Sequence, residues 1–378
     1  MIDIDKVLQI LFYIFIGFGF IQILYFFLFY FRVVFWKRKE KIKTKNDNDL
    51  PPASVIIVAK NESDNLKKNL TSFLTQKYPN FRVIVVDDGS EDDSATVLAQ
   101  MKQKYSNLYV TGLPEENEFR RGKKTALVVG IKAAKTDILL FSDADCKAPS
   151  ENWIRTIVEN YNEQTEIVIG FGAYNNQKGL LNKIIRSDTV FIGLQYIGFA
   201  LAKIPYMAVG RNMSYKKSLF MKNKGFANHM KLLSGSDDLF VNENASRKNV
   251  KVDISPDSLT FSDTKQTSKE WSHQKIRHLT TGKYYKFIHK VLLFLEPFTR
   301  IFFFIIAAFI IANNQFVIEV SSILAFRFIL LLVTLIVANK KFKQKNLLIV
   351  ELFYDIFQPI VNLLFYFKAN KNKEYLWK

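Results

Sequence analysis

A continuous apolar run at the start of the chain is the feature that most constrains its fold. Residues 7–36 are almost entirely apolar, and Gln22 and Arg32 are the main interruptions. Because a helix needs roughly 20 apolar residues to cross a bilayer, this run is long enough to span one. It is also too long for the core of a signal peptide, and no small-residue cleavage site follows it. We therefore predict a retained N-terminal transmembrane helix over residues 1–36.

A dense basic linker, residues 37–50, follows the apolar run. By the positive-inside rule, it places the next part of the chain in the cytoplasm. The single cysteine, Cys146, excludes an internal disulfide and agrees with a reducing compartment. These features predict a multi-pass protein of the inner (plasma) membrane whose central domain is cytoplasmic.

The chain carries a net charge of +18, from 53 Lys and Arg against 35 Asp and Glu. Such a surplus is typical of nucleic-acid-binding proteins. Here the basic clusters flank apolar segments, where they would meet anionic lipid headgroups instead. We therefore expect the membrane to be a partner and expect no binding to nucleic acid.

The segment after Pro51-Pro52 alternates short β-branched runs with stretches of helical spacing. The predicted strands cover residues 54–59, 82–86 and 108–110 and a run ending at residue 143, and the predicted helices cover 64–73, 93–105 and 123–134. Alternation of this kind predicts an α/β fold with a mainly parallel sheet and helices on both faces. In such sheets, ligands bind at the carboxyl ends of the strands.

Polar residues follow three of the predicted strands: Lys60-Asn61-Glu62, Asp87-Asp88-Gly89-Ser90 and Asp143-Ala144-Asp145. Each group alone could be an ordinary turn. Asp143 and Asp145, two residues apart, point to the same side of a strand, where like charges are costly unless a cation neutralises them. A hard divalent ion with oxygen ligands fits best. Three such groups at one edge of the sheet predict a functional site there.

Beyond the sheet the pattern changes. Residues 180–206 mix apolar residues with Lys183, Arg186 and Lys203, which predicts either an amphipathic helix under the membrane surface or a lid helix packed on the sheet. Residues 291–338 contain two apolar stretches around an Asn313-Asn314-Gln315 turn, typical of a transmembrane hairpin.

Charged residues interrupt the C-terminal apolar segments. Glu319 and Arg327 lie in or near the second helix of the hairpin and remain unassigned. Residues 339–378 hold a third apolar segment and a basic tail. Because Glu351, Asp355 and Pro359 interrupt this segment, we favour a re-entrant or interfacial segment over a spanning helix.

Four further motifs complete the central region. They are Gly122-Lys123 with Ala126-Leu127, Gly210-Arg211-Asn212, Gly235-Ser236-Asp237-Asp238-Leu239 and Gln274-Lys275-Ile276-Arg277-His278. With the three strand-end groups, this set resembles the inverting, membrane-bound glycosyltransferases of family two, the group that contains cellulose and hyaluronan synthases. The resemblance covers about residues 51–285 and implies a Rossmann-like GT-A catalytic domain over residues 51–290.

The resemblance also implies roles for individual residues. It implies that the donor is bound by Lys60, Glu62, Asp87, Asp88, Lys123, Asp143, Arg211, Gln274, Arg277 and His278. Asp143 and Asp145 would bind Mg²⁺ or Mn²⁺, with Asp145 as the more direct ligand. Asp237, or alternatively Asp238, would be the general base. From the residues alone, a helix N-cap explains these two acids equally well.

The implied reaction moves a sugar from a nucleoside diphosphate sugar, most simply a uridine one, to a lipid-linked or saccharide hydroxyl. Two departures from the family pattern bear on it: Val128 stands where Asn is usual, and His278 replaces a Trp that stacks on the acceptor. The second makes a processive polysaccharide synthase the less favoured alternative. A catalytically inactive sugar-nucleotide sensor or scaffold is the alternative from another class.

Overall fold

A seven-stranded sheet organises the central domain of the computed structural model, which describes residues 4–38, 47–113 and 122–371. The middle of the predicted basic linker and the end of the basic tail lie outside these ranges. In chain order the strands are β1 (Ala53–Ala59), β2 (Phe81–Asp87), β3 (Leu108–Gly112), β4 (Ile138–Asp143), β5 (Cys146–Lys147), β6 (Ile167–Ile169), β7 (Gly172–Tyr174), β8 (Met213–Lys216), β9 (Val250–Val252) and β10 (Thr260–Ser262).

The helices alternate with these strands and then continue without them. The first is α1 (Ile4–Tyr25), which continues through a π-helical turn (Phe26–Tyr30) into α2 (Phe31–Val34). The others are α3 (Ser63–Asn69), α4 (Thr71–Leu74), α5 (Ser94–Lys104), α6 (Lys123–Ala133), α7 (Trp153–Val158), α8 (Leu180–Leu201), α9 (Lys217–Lys222), α10 (Asp238–Asn244), α11 (Ser268–Leu279), α12 (Phe287–Ala312), α13 (Val317–Lys341) and α14 (Leu348–Lys371).

The main sheet has the strand order β3-β2-β1-β4-β8-β6-β9. The first four of these strands run parallel, and β8 runs antiparallel to both of its neighbours. Side chains of β1 alternate between two cores: Val55 and Ile57 pack on one face of the sheet, and Ile56 and Val58 pack on the other. The predicted α/β fold with a mainly parallel sheet is confirmed. A smaller sheet, β5-β10-β7, extends it.

Within the described ranges, five helical segments are long and apolar enough to cross a membrane: residues 4–34, α8, α12, α13 and residues 348–369 of α14. In α8, 72% of the apolar window is buried inside the protein, against 22–33% in the other four. This burial agrees with the lid-helix interpretation of α8. The other four present apolar surface outward, as membrane helices do.

The third C-terminal apolar segment, for which we favoured a re-entrant or interfacial segment, forms one continuous helix, α14. The residues that interrupt its apolar sequence are buried against partners on neighbouring helices. Asn339 donates a hydrogen bond to Glu351 at 2.6 Å, and Asp355 forms ion pairs with Arg300 and Arg327. Because Asp355 is neutralised by arginines of the neighbouring helices, it does not have to reach water.

Four charged residues on α12, α13 and α14 form what we call the membrane ion cluster: Glu296, Arg300, Arg327 and Asp355. Asp355 lies 2.8 Å from Arg300 and 2.7 Å from Arg327, and Arg300 lies 3.1 Å from Glu296. Gln22 of α1 accepts hydrogen bonds from Arg327 at 3.3 Å. The cluster therefore joins the four outward-facing apolar helices, whereas Glu319, the other charge noted in the sequence, is exposed at the start of α13.

Candidate active site

The ends of β1 and β2 are joined into one hydrogen-bonded edge. Asn61 turns the chain after β1 with a φ of 54°, in the left-handed region. Its N–H donates to Ser90 Oγ at 2.9 Å, and its Oδ1 accepts from the Glu91 N–H at 2.8 Å. Asp87 Oδ1 accepts from the backbone and hydroxyl of Ser90. The structure thus brings the first two predicted groups together.

The acids of this edge differ in exposure. Glu62 is half-buried, and burial raises the pKa of its carboxyl although Asn65 donates a hydrogen bond to it. Asp88 is fully buried, its N–H donates to the Ala59 carbonyl, and its Oδ1 accepts from the Gly122 N–H at 3.3 Å. Asp88 therefore holds the start of α6 against the strand ends. Lys60 is half-buried at the same edge.

Lys123 and Asp143 form an ion pair between the start of α6 and the end of β4. Lys123 Nζ lies 2.5 Å from Asp143 Oδ1, and the two side chains are 22% and 34% exposed. Burial tends to raise the pKa of Asp143, but Lys123 outweighs it and holds that pKa below its usual value. Asp145 behaves in the opposite way, because burial and the negative charge of Asp143 raise its pKa. The end of β4 thus carries one carboxylate, Asp143, that is paired with a cation. The negative charge of the second, Asp145, is less well balanced.

The two carboxylates have the chemistry of a diphosphate-bound metal site. Among the described residues, no three His, Cys, Asp or Glu side chains are grouped as a complete metal site. Mg²⁺ and similar hard ions are commonly held by one or two carboxylates together with substrate phosphates. Such a cation would stabilise the charged form of Asp145 and so lower the pKa that burial and Asp143 raise. Asp143 and Asp145 therefore fit the predicted ion.

Asp237 and Asp238 point in different directions although they are adjacent. Asp237 precedes α10 at the N-cap position, yet its side chain makes no capping hydrogen bond and Oδ2 accepts from the Gly210 N–H at 2.7 Å. Asp238 is buried and accepts hydrogen bonds from Thr281, Tyr285 and the Leu239 N–H. Burial and the neighbouring Asp237 raise the pKa of Asp238 to about 6.

One small cavity brings the predicted base and the predicted metal edge together. Its lining includes Lys123, Asp143, Gly210, Ser236 and Asp237, with apolar walls from β1, β4, α6 and β8. Asp145 is not among the residues that line it, but it lies two residues beyond Asp143 and interacts with it electrostatically. Of the two acids after Gly235-Ser236, it is Asp237 that faces this cavity.

The C-terminal motif adds cations and amides to the same region. Helix α11 begins with a capping box formed by Thr267 and Glu270. Burial lowers the pKa of Arg277, and the charges of Asp143 and Asp237 oppose that shift, so Arg277 is close enough to interact with both acids. His278 is exposed, and the positive charge of Arg277 beside it in the chain lowers the pKa of its imidazole, so the ring is neutral at physiological pH.

Tyr174 and Lys275 make contacts that the sequence did not indicate. Tyr174, at the end of β7, lies against Arg211 and accepts a hydrogen bond from Gln274 at 3.3 Å. Lys275 turns away from the cavity and forms a buried ion pair with Asp188 at 2.8 Å. A three-residue strand has no useful periodicity, so the sequence carries no clear signal for Tyr174.

Comparisons with known proteins show what this chain is similar to. Residues 54–224 match the model of Glycosyl transferase family 2. A probable glycosyltransferase, YdaM, from Bacillus subtilis is 26% identical over 269 residues, which are 68% of this chain and 60% of that protein. Poly-beta-1,6-N-acetyl-D-glucosamine synthase from Staphylococcus aureus is 29% identical over 141 residues, 37% of this chain and 33% of the synthase. The chain thus spans 60% or less of the length of these relatives.

A solved structure extends the fold comparison to most of the chain. The mannosyltransferase PcManGT from Pyrobaculum calidifontis, in complex with GDP-Man and Mn²⁺, aligns with 92% of this chain and 99% of its own, with a TM-score of 0.56 and 17% identity. At this identity the likeness concerns the fold alone. Together with the strand order and the family match, it supports one assignment: residues 54–224 are similar to glycosyl transferase family 2, and the central domain has a GT-A fold.

Proposed function

We propose that this protein is a membrane-anchored inverting glycosyltransferase. It transfers a sugar from a nucleoside diphosphate sugar, most simply a UDP-sugar, to a hydroxyl of a lipid-linked or saccharide acceptor. The observation that carries the proposal is the single cavity lined by Asp237 on one side and by Asp143 and Lys123 on another. A proton acceptor and the charges suited to a diphosphate lie at one site, as a displacement at the anomeric carbon requires.

Asp237 is the general base in this proposal. The Gly210 N–H binds Oδ2 and fixes the carboxylate, and Oδ1 takes the proton of the acceptor hydroxyl as that oxygen attacks the anomeric carbon. The attacking oxygen enters opposite the leaving diphosphate, so the new bond has inverted configuration. Asp238, with three hydrogen bonds donated to it inside the protein, has a supporting role.

Cations of the site stabilise the leaving diphosphate. Lys123 exchanges part of its contact with Asp143 for a phosphate oxygen, and Arg211 and Arg277 add fixed positive charge. Asp145 and Asp143 would hold Mg²⁺ or Mn²⁺, which when bound neutralises charge that develops on the diphosphate. The presence of Mn²⁺ in the complex of the structural neighbour PcManGT supports this choice of ion.

The proposed location is the inner (plasma) membrane, with the GT-A domain in the cytoplasm. The four outward-facing apolar helices support membrane insertion, and the basic residues beside them support this orientation. A nucleoside diphosphate sugar made in the cytoplasm would then reach the cavity directly.

Processive synthesis is the second candidate within this class. The likeness to a poly-N-acetylglucosamine synthase favours it, whereas the neutral His278 at the position of a stacking Trp is a weaker platform for a sugar. Product length measured by mass spectrometry, with purified protein and excess donor, separates the two. A single added sugar supports the transferase, and a ladder of products supports the synthase.

The decisive experiment compares wild-type protein with Asp237→Asn and with Asp257→Asn, an exposed carboxylate outside the predicted motifs. A panel of nucleotide sugars is screened for metal-dependent diphosphate release, and NMR of the product gives its anomeric configuration. We expect wild type and Asp257→Asn to be active, and Asp237→Asn to bind the nucleotide but transfer at least about 10²-fold more slowly. Nucleotide binding without turnover by the wild type would support a sensor instead.

A further inference from the structure

Tyr174 contacts two predicted site residues that come from distant parts of the chain. Its ring lies under the guanidinium of Arg211, with 4.1 Å between Arg211 Cζ and the ring centroid. Its hydroxyl accepts a hydrogen bond from Gln274 Nε2 at 3.3 Å. The side chain is 8% exposed. One aromatic residue therefore joins the loop before β8 to the helix α11.

The strand that carries Tyr174 is shaped to fit the arginine. A Cβ atom added to Gly172 would lie 2.4 Å from Arg211 Nε and 2.5 Å from its Cγ, so any larger residue would displace the side chain. The Arg211 carbonyl accepts hydrogen bonds from Ser142 and Thr260. Arg211 is therefore fixed at its backbone by the sheet and at its guanidinium by Tyr174.

A second segment fixes Tyr174 itself. Residues 342–347 connect the membrane helices α13 and α14, and this interhelical turn is inserted into the catalytic domain. Gln344 Nε2 donates to the Tyr174 carbonyl at 3.3 Å, and Gln344 Oε1 accepts from Arg186 at 2.7 Å. Phe342 is fully buried and stacks on Phe171 with 3.8 Å between ring centroids. The end of β7 is thus held between the site and the membrane helices.

We propose that Tyr174 is a positioning residue for sugar transfer. Its ring orients the Arg211 guanidinium and its hydroxyl orients Gln274, while the interhelical turn holds its backbone. A guanidinium recognises phosphate oxygens through a planar pair of N–H donors, so its orientation decides how well it matches the diphosphate as charge develops. The inference rests on the proposed function, because it assigns Tyr174 a part in that reaction.

An ordinary core tyrosine would have different neighbours. Buried tyrosines usually satisfy the hydroxyl with any available acceptor or donor, often the backbone. Tyr196 is an example, since it is fully buried among apolar side chains and donates to the Gly170 carbonyl. Tyr174 instead contacts two polar side chains that belong to the site, which is the arrangement of a positioning residue.

The test uses the full-length protein in detergent and a double-mutant cycle. Tyr174→Leu should lower kcat by about 30- to 100-fold with less than a threefold change in donor KM, because a misoriented Arg211 fails mainly in the transition state. In an Arg211→Ala background, Tyr174→Leu should cost only the roughly threefold to tenfold that the hydrogen bond to Gln274 contributes. A purely structural role would give losses that multiply in the double variant.

Three variants complete the design. Tyr174→Phe, which retains the ring, should lose only about threefold to tenfold, and Gln344→Ala should lose less than Tyr174→Leu in the same parameter. Tyr109→Leu is the control, since Tyr109 of β3 also lies under an arginine, Arg82 at 5.9 Å, but on the edge strand β3. We expect Tyr109→Leu to be as active as wild type.

The outcomes separate this inference from the proposed function. If the wild type is active but the losses in the cycle multiply, the role of Tyr174 is overturned and the proposed function is not. The same conclusion follows if Tyr174→Leu is as active as wild type. A wild type that transfers no sugar overturns both proposals. If Tyr174→Leu does not fold, the cycle of Tyr174→Phe with Gln274→Ala gives the same test, because the loss caused by Phe must then vanish when the Gln274 amide is absent.

Discussion

Two groups of ion pairs in this protein use the same chemistry in different surroundings. In the active-site cavity, Lys123 and Asp143 are 22% and 34% exposed. In the membrane ion cluster, Arg300, Arg327, Glu296 and Asp355 are all 5% exposed or less, measured on their side chains. Exposure decides whether a charge can change its partner. The site pair can exchange contacts with an incoming diphosphate and metal ion, whereas the membrane cluster has no such route.

The comparison also separates two ways of balancing charge. The membrane cluster contains two cations and two anions, so it is neutral within itself. The site holds Asp143, Asp145 and Asp237 together with Lys123, Arg211 and Arg277, and burial and the charge of Asp143 raise the pKa of Asp145. A cluster of close ion pairs suits a permanent connection between helices, while a carboxylate whose charged form is disfavoured suits a cation that arrives with the substrate.

The largest expected effect is on stability, from the membrane cluster. Asp355→Asn removes the anion between Arg300 and Arg327 and leaves a buried positive charge, which should lower the free energy of unfolding by about 3–5 kcal/mol. Thermal and denaturant unfolding in detergent measures it. Glu151→Gln, which breaks an exposed pair with Lys77, is the control and should leave the free energy of unfolding almost unchanged.

The same cluster offers a stricter form of this test. Replacing Arg327 and Asp355 together by leucine leaves the neutral pair of Arg300 and Glu296, so the double variant should be more stable than Asp355→Asn. Equal losses in the single and double variants would mean that helix packing, and not charge balance, governs this region.

The second expected effect is on catalysis, from the site pair. Asp143→Asn should lower kcat/KM by about 10²- to 10³-fold and raise the Mn²⁺ concentration needed for half-maximal rate, because one predicted metal ligand is lost. The melting temperature should change little, since both partners are partly exposed. Rates at several Mn²⁺ concentrations, with melting curves of the same preparations, measure both. Full activity with a large loss of stability would place this pair in the same class as the membrane cluster.

The smallest expected effect concerns Asp238, which is buried like the cluster but lacks an arginine partner. Its pKa is raised to about 6, so transfer should slow as the pH falls through 6 and Asp238 becomes protonated beside the base. At this group, acidification from pH 6 toward pH 4 should favour the folded state, because the folded pKa lies above the ordinary value.

The variant Tyr285→Phe tests whether Asp238 causes that pH dependence. The Tyr285 hydroxyl donates to Asp238 Oδ2 at 2.7 Å and favours the charged carboxylate. Its removal should therefore shift the midpoint of the pH–rate profile upward by about one unit. An unchanged or lowered midpoint would contradict the assignment of this titration to Asp238.

Sequence patterns predicted the parts of the fold that depend on local order. The strands β1, β2 and β4 end in polar groups, and parallel connectivity brings those ends to one edge, so Lys60, Asp87 and Asp143 could be expected near one another. The preference for Asp237 over Asp238 came from the resemblance and not from local order, because it depends on where α10 begins and which side chain then faces inward.

Contacts between distant helices were beyond prediction from the sequence alone. Asp355 looked like an interruption of an apolar segment, and its partners lie 55 and 28 residues away on other helices. Tyr174 lies on a strand too short to show a pattern, and its neighbour Gln344 is 170 residues further along the chain. Pairings of this kind depend on how whole helices pack, which neither spacing nor composition encodes.

The insertion of residues 342–347 into the catalytic domain has a consequence for biogenesis. Gln344 supports the backbone of Tyr174, and Tyr354 of α14 donates a hydrogen bond to Asp188, the partner of Lys275. A ribosome makes these supporting residues after the motifs that they hold. The site therefore acquires these supports only after translation has reached α14.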